Sequence, residues 1–224
     1  MKVMILGAYG KIGRLIAEKA HQQQWEVTAV VHKVHPRIKL QAEDLIVKDV
    51  TKLTVQDVEN FDIVVDATGG WRSGTANVVY DSVAHLTQLL DDGQTRYIKI
   101  GGANTLYINR DHSSQLQTLP SYYPAKYQFL CRVHTKALAL LRTYSNIPWT
   151  YVTPPVNFIP AGPETGTYQV GAEEFKANLQ GDDGINDYIS YADFANGVID
   201  LIKQNNYVRQ RITLFSGDLP KQDK

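Results

Sequence analysis

Short apolar runs alternate along this chain with segments whose apolar residues recur every three or four positions. The runs are Val3-Met4-Ile5-Leu6, Glu26–Val31, Leu45-Ile46-Val47, Ile63-Val64-Val65, Arg96–Ile100, Trp149–Thr153 and Arg211–Phe215. Their length and β-branched content predict strands, the middle ones buried on both faces. Between them, 14–20, 54–60, 75–90, a segment after Pro124 and 191–203 read as helices. Val79, Val83, Leu86 and Leu90 form one stripe, and Phe129, Val133, Leu138 and Leu141 form another. Strands alternating with helices predict a parallel sheet covered by helices on both faces.

Two stretches break the rhythm. Residues 103–124 form a polar loop without a clear period, and loops of that length in compact domains often carry function. Residues 157–184 are rich in glycine and proline, with a strand-like piece at Thr167–Val170. The expectation is one domain over 1–224, with 154–190 folding over the carboxyl ends of the strands as a cover for a substrate site.

The first strand runs straight into Gly7-Ala8-Tyr9-Gly10-Lys11-Ile12-Gly13, and a helix follows at once. Such a junction presents free backbone N–H groups and the positive end of a helix dipole to an anion. Gly7 turns the chain off the strand, Gly10 lets backbone approach a diphosphate, and Gly13 lets the helix lie close on the sheet. A second strand follows after the length of one βαβ unit, which is the context a dinucleotide site needs. The fold expected is α/β: a Rossmann-like doubly wound parallel sheet of order 3-2-1-4-5-6, with a seventh strand available and a small irregular C-terminal substrate region.

The tip of the second strand bears on which dinucleotide. NAD binders place Asp or Glu there, about 20 residues past the glycines, to hold the ribose hydroxyls. Here the tip reads Val30-Val31-His32-Lys33, Arg37 and Lys39 follow, and no carboxylate occurs between Glu26 and Glu43. Positive charge at this point favours the 2′-phosphate of NADP(H) over NAD(H). Lys11 adds charge within the glycine turn.

Composition narrows the setting. The 23 basic residues balance the 23 acidic ones, so nothing points to nucleic acid or an anionic membrane as partner. Cys131 is the one cysteine, which excludes an internal disulfide and fits a cytoplasmic location. It reads as a small core filler rather than a nucleophile. The N-terminal apolar stretch is strand-sized and reads as no signal peptide, and no run reaches membrane-span length. The histidines fall in no metal-ligand spacing, so no metal is expected. Oligomeric state is open, a homodimer included.

The chain resembles the NmrA-like atypical short-chain dehydrogenase/reductases, in particular the bacterial NADH-flavin reductase group. The residues that carry the resemblance are 7–13, Asp49-Val50, Gly101-Gly102-Ala103, Trp149–Pro154, Gly162–Tyr168 and Ile189–Ala195. Tyr9 departs from the usual Thr, Lys48 from Gly, and Asn104-Thr105 from Gly-Ser. The resemblance implies NAD(P)(H) binding, with Asp49 and Val50 beside adenine and Ala67, Thr68 and Gly69 flanking the ribose. It further implies Gly101 and Gly102 at the nicotinamide ribose, Thr153 and Pro154 against the nicotinamide, and reduction of a flavin or quinone.

Short-chain dehydrogenases use Tyr-x-x-x-Lys, in which lysine lowers the tyrosine pKa. Tyr122 and Lys126 have that spacing, but Pro124 between them places Tyr122 before the helix and Lys126 in its first turn. No catalytic residue is therefore assigned. Hydride transfer to an electron-poor ring can proceed without a dedicated acid. The expectation is an NAD(P)H-dependent reductase acting on a free flavin, quinone or similar small acceptor. The alternative is a non-catalytic NADP(H)-binding redox sensor that works through a protein partner.

Overall fold

The computed structural model describes residues 1–175 and 187–217. Ten strands and five helices follow the chain: β1 (Lys2–Leu6), α1 (Lys11–Gln22), β2 (Glu26–Val31), β3 (Asp44–Val47), α2 (Val55–Val58), β4 (Ile63–Asp66), α3 (Val78–Leu89), β5 (Arg96–Ile100), α4 (Gln128–Leu141), β6 (Trp149–Thr153), β7 (Asn157–Ile159), β8 (Gln169–Gly171), β9 (Tyr188–Ser190), α5 (Tyr191–Gln204) and β10 (Gln210–Phe215). The main sheet has eight strands in the order β3-β2-β1-β4-β5-β6-β10-β8. All its pairings are parallel except β8 on β10. The expected Rossmann-like order is present, and the strand at 211–215 extends it. A separate parallel pair joins β7 to β9.

Each face of the sheet has its own core. One side packs α1 and α5 through Ile16, Ala17, Ala20, Phe194, Val198 and Ile202 against Val3, Ile5, Val65 and Ile98. The other packs α3 and α4 through Val79, Val83, Leu86, Leu138 and Leu141 against Met4, Val64, Tyr97 and Tyr151. β4 is buried along its whole length, as its Ile-Val-Val run requires. β3, at the sheet edge, leaves Leu45 and Val47 exposed.

The loop expected at 103–124 has an order that sequence period does not reveal. Ala103–Thr105 and Leu116–Thr118 are short 3₁₀ turns. Ala103, Leu106, Leu116 and Phe175 form a third small core, closed by Tyr122, Tyr123 and Val156. The Tyr107 N–H donates to the Glu173 carbonyl at 2.9 Å, and the Phe175 N–H to the Tyr107 carbonyl at 2.7 Å. This loop and the segment around 173–175 therefore hold each other.

Candidate dinucleotide site

Strand order reverses at β1, whose neighbours are β2 and β4. A crevice opens at such a switch point because successive crossovers leave toward opposite faces. Here it is a cleft of about 700 Å³ lined by Gly7, Gly10, His32, Lys48, Asp49, Val50, Thr51, Ala67, Thr68, Gly69, Asn77, Val78 and Asp81, among others. The volume falls in the range of small-molecule and cofactor sites, about 300–1,000 Å³.

The glycines shape its floor. Gly7 has φ +73°, and a Cβ there would lie 2.8 Å from the Ala67 carbonyl oxygen. A Cβ on Gly13 would lie 2.5 Å from the Gly7 carbonyl oxygen. These contacts bring the β1 turn, the β4 tip and the start of α1 together, as only glycine allows. Gly10 caps α1 without a side chain, and the first turn carries no acidic residue. No carboxylate of that turn competes for the helix's leading N–H groups, so the residues present fit a diphosphate.

The structure brings Gly7, Gly10, His32, Asp49, Val50, Ala67, Thr68 and Gly69 to one cleft. The remaining candidates are not among the cleft's lining. Gly13 is buried behind the turn, and Ile12 and Tyr9 pack on the α1–α5 core. The Tyr9 ring stands edge-on to His35, 6.1 Å between centroids, and is not part of the cleft lining. Lys11 and Lys33 are exposed and follow lining residues Gly10 and His32 in the chain, but are not part of the lining. Gly101 and Gly102 cover the Tyr151 ring and His134, and Thr153 and Pro154 are buried. His32 Nε2 lies 3.7 Å from Asp49 Oδ2. Hydrogen bonds from the Thr51 N–H and hydroxyl hold the Asp49 carboxyl below its ordinary range.

Beneath the cleft lies a polar row that sequence reading overlooked. Cross-strand register aligns Asp66, Lys99, Tyr151 and Arg211 on one face of the sheet. Lys99 Nζ is 3.0 Å from Asp66 Oδ1, both side chains fully buried. Lys99 also donates to the Thr68 carbonyl at 3.2 Å, and Asp66 accepts from the Thr68 N–H at 2.9 Å and the Tyr97 hydroxyl at 2.8 Å. Burial opposes ionisation of Asp66, but the Lys99 charge and the Thr68 bonds outweigh it and hold the carboxyl below its usual range. Lys99 itself is lowered by burial, against the pull of Asp66. The available signal was a lysine inside the apolar run Tyr97-Ile98-Lys99-Ile100. Farther along the row, His134 Nδ1 is 3.0 Å from the Tyr151 hydroxyl, and burial together with the Lys99 charge pushes His134 down to about 3.

Tyr122 and Lys126 face different aromatic rings. Tyr122 packs edge-on against Phe175, whereas exposed Lys126 lies in the 3₁₀ turn Ala125–Tyr127 with its ammonium 5.0 Å over the Tyr127 ring. Cys131 is buried and its thiol pushed up to about 11 by desolvation, as a filler's would be. Asp193 sits at the head of α5, with Ser190 as the cap, and accepts from the Thr165 and Gly166 N–H groups. Residues 164–168 thus run along α1 and α5, where Glu164 meets Lys19 at 2.6 Å and Tyr168 meets Asp200. Val156 and Phe175, by contrast, join the 103–124 loop. Residues 176–186 of the expected cover lie outside the described residues. Among the described residues no His, Cys, Asp and Glu cluster suits a metal, and no helix is long and apolar enough to cross a membrane.

Sheet order, switch-point cleft and glycine floor define a Rossmann-like dinucleotide-binding domain. Residues 7–205 match a family model described as NAD(P)H-binding, and the chain belongs to that family. It is 34% identical over 219 residues to the uncharacterized protein YwnB of Bacillus subtilis (strain 168), covering 96% of this chain and 99% of that one. Among solved structures it is similar to SP1627 of Streptococcus pneumoniae TIGR4, described as a "putative NADH-flavin reductase". The TM-score is 0.87 at 36% identity, covering 96% of this chain and 99% of the other. A "putative epimerase" from Bacteroides thetaiotaomicron superposes with TM-score 0.78 at 26% identity, covering 99% of each chain. The family resemblance read from 7–13 and the C-terminal motifs holds.

Proposed function

We propose that this protein is an NAD(P)H-dependent oxidoreductase that delivers hydride to a free flavin, a quinone or a similar small acceptor. The observation that carries the reading is the glycine-floored cleft at the β1/β4 switch point, with an uncapped helix start facing it. Likeness to the S. pneumoniae protein supports the acceptor class. Gly7, Gly10 and the first N–H groups of α1 would hold the diphosphate, Asp49 and Val50 the adenine side, and Ala67–Gly69 the ribose. The basic tip at His32, Lys33, Arg37 and Lys39 favours NADP(H). The reduced nicotinamide supplies the hydride when bound. The protein's own part is to fix that ring beside the acceptor and exclude water. The acceptor would lie near Gly101-Gly102, under the 103–124 loop and the residues packed on it, Val156 and Phe175. A single domain in the cytoplasm, with no nucleic acid or membrane partner, completes the reading.

Assaying NADPH and NADH oxidation by the purified protein against FMN, FAD and a quinone panel tests it. Turnover with at least one acceptor is expected, and none with any acceptor rejects the reductase. One observation favours a second reading: Tyr122 packs on Phe175 whereas the exposed Lys126 ammonium lies over the Tyr127 ring, which is not the arrangement of a tyrosine–lysine acid–base pair. A non-catalytic redox sensor would bind NADP(H) without turnover and retain a protein partner in a nucleotide-dependent way.

A further inference from the structure

Trp71 is 79% exposed, more than any other large apolar side chain among the described residues. It sits in the loop from Gly69 to Gly74, between β4 and α3, and both feet of that loop line the cleft: Gly69 on one side, Gly74 and Thr75 on the other. The neck is tight. A Cβ on Gly70 would lie 2.2 Å from the Thr75 carbonyl oxygen, and the Thr75 and Ala76 N–H groups both donate to the Arg72 carbonyl at 2.9 Å. At Gly69 and Gly74 a Cβ would meet nothing within 4 Å. The loop is therefore a compact turn on the cleft rim, joined through two uncrowded glycines, with Trp71 and Arg72 at its tip. Its inner foot follows Thr68, which Asp66 and Lys99 hold in place.

Charge in the cleft calls for what the loop carries. Asp49 and Asp81 line it, and its lining lysine, Lys48, is held by both carboxylate oxygens of Asp57 at 2.7 and 2.6 Å. Against these carboxylates the lining offers His32 and the leading N–H groups of α1, and Arg72, exposed at the tip of the loop whose feet line the cleft, is available to add positive charge. Guanidinium pairs with phosphate oxygens in a bidentate fork, and an indole face covers a purine well. We propose that Trp71 and Arg72 are further dinucleotide-binding residues: the 69–74 loop closes over the cleft, the indole covering the adenosine half and the guanidinium pairing with the diphosphate. This rests on the reading that the cleft takes a dinucleotide.

Calorimetric and tryptophan-fluorescence titrations of the full chain with NADP⁺ and NADPH test the proposal. Trp71→Phe should lose the emission change on binding that the wild type shows, because Trp25 and Trp149 remain in it. Trp71→Ala and Arg72→Ala should each weaken NADP⁺ about tenfold with an unchanged melting temperature, since both side chains are exposed. Arg72→Ala should also flatten the salt dependence of binding. Unchanged affinity in both alanine variants overturns the proposal, whatever the emission does, and leaves the cofactor reading standing. Absence of binding heat for the wild type with any nicotinamide nucleotide overturns both.

Discussion

Lys99 and Asp66, paired at 3.0 Å in neighbouring strands, are a fully buried ion pair whose shared partner is the main chain of Thr68. Desolvating two charges costs several kcal/mol each, so such a pair is weak evidence of stability by itself. Its position is informative. It fixes the Ala67–Gly69 backbone that walls the cleft and against which Gly7 packs.

Breaking the pair leaves a buried carboxylate with its Thr68 and Tyr97 hydrogen bonds but without its counter-charge. Lys99→Met is expected to lower stability by about 3–5 kcal/mol, the usual cost of removing one partner. Asp66→Asn with Lys99→Met should cost less than the sum of the singles. Urea unfolding of the four proteins closes that cycle, and additive singles would show that the two groups are not coupled.

Tight backbone contacts at the glycine turn predict its response to one methyl group. Gly13→Ala must push α1 away from the Gly7 carbonyl, because the contact at 2.5 Å is with backbone. It is expected to weaken NADPH at least tenfold and to lower the melting temperature. Gly166, with open space at its Cβ position and φ +70°, is the control outside the cleft: Gly166→Ala should cost about 1 kcal/mol of strain and leave affinity unchanged.

Charge at the β2 tip predicts discrimination. Replacing Lys33 and Arg37 together with alanine is expected to weaken NADPH tenfold or more while NADH changes less than twofold. Equal loss for both nucleotides would mean that the tip does not read the 2′-phosphate.

Asp187 is 3% exposed, and burial raises its carboxyl to about 6, despite bonds from the Val156 N–H and the Asn157 side-chain amide. The folded protein therefore holds a proton there that the unfolded chain has released. Its contribution is full below the unfolded value, about 3.9, and is lost as pH rises through about 6. Asp187→Asn should remove that decline, worth roughly 3 kcal/mol at a raised pKa of this size. The difference between the two proteins' stability–pH curves over pH 4–6 checks the sign. Identical slopes would place the titration elsewhere.

Separate neighbours for Tyr122 and Lys126 predict that neither is needed. Tyr122→Phe and Lys126→Ala should keep kcat for NADPH oxidation within twofold. A hundredfold loss in either would restore an acid–base role.

Much of this was legible in the order of residues. Local physics made it so: β-branched runs such as Ile63-Val64-Val65 commit to buried strands, and Gly7, Gly10 and Gly13 mark a turn that no side chain tolerates. Those two signals define the parallel sheet, its switch point and the anion-facing helix start. The basic tip at His32 and Lys33 is equally local, but whether it meets a ligand depends on distances that spacing does not contain.

Tertiary structure decided the rest, because the decisive contacts join residues far apart in the chain. Asp66, Lys99, Tyr151 and Arg211 become one row only through cross-strand register, and the lysine in the β5 run does not by itself name its partners. Thr75, Asn77, Val78 and Asp81 reach the cleft only because α3 docks beside β4. The 103–124 loop gains a core only when Phe175 arrives. One-dimensional pattern records the period of a helix or strand; which side chains finally meet is set by packing between elements, and that information resides in no single stretch.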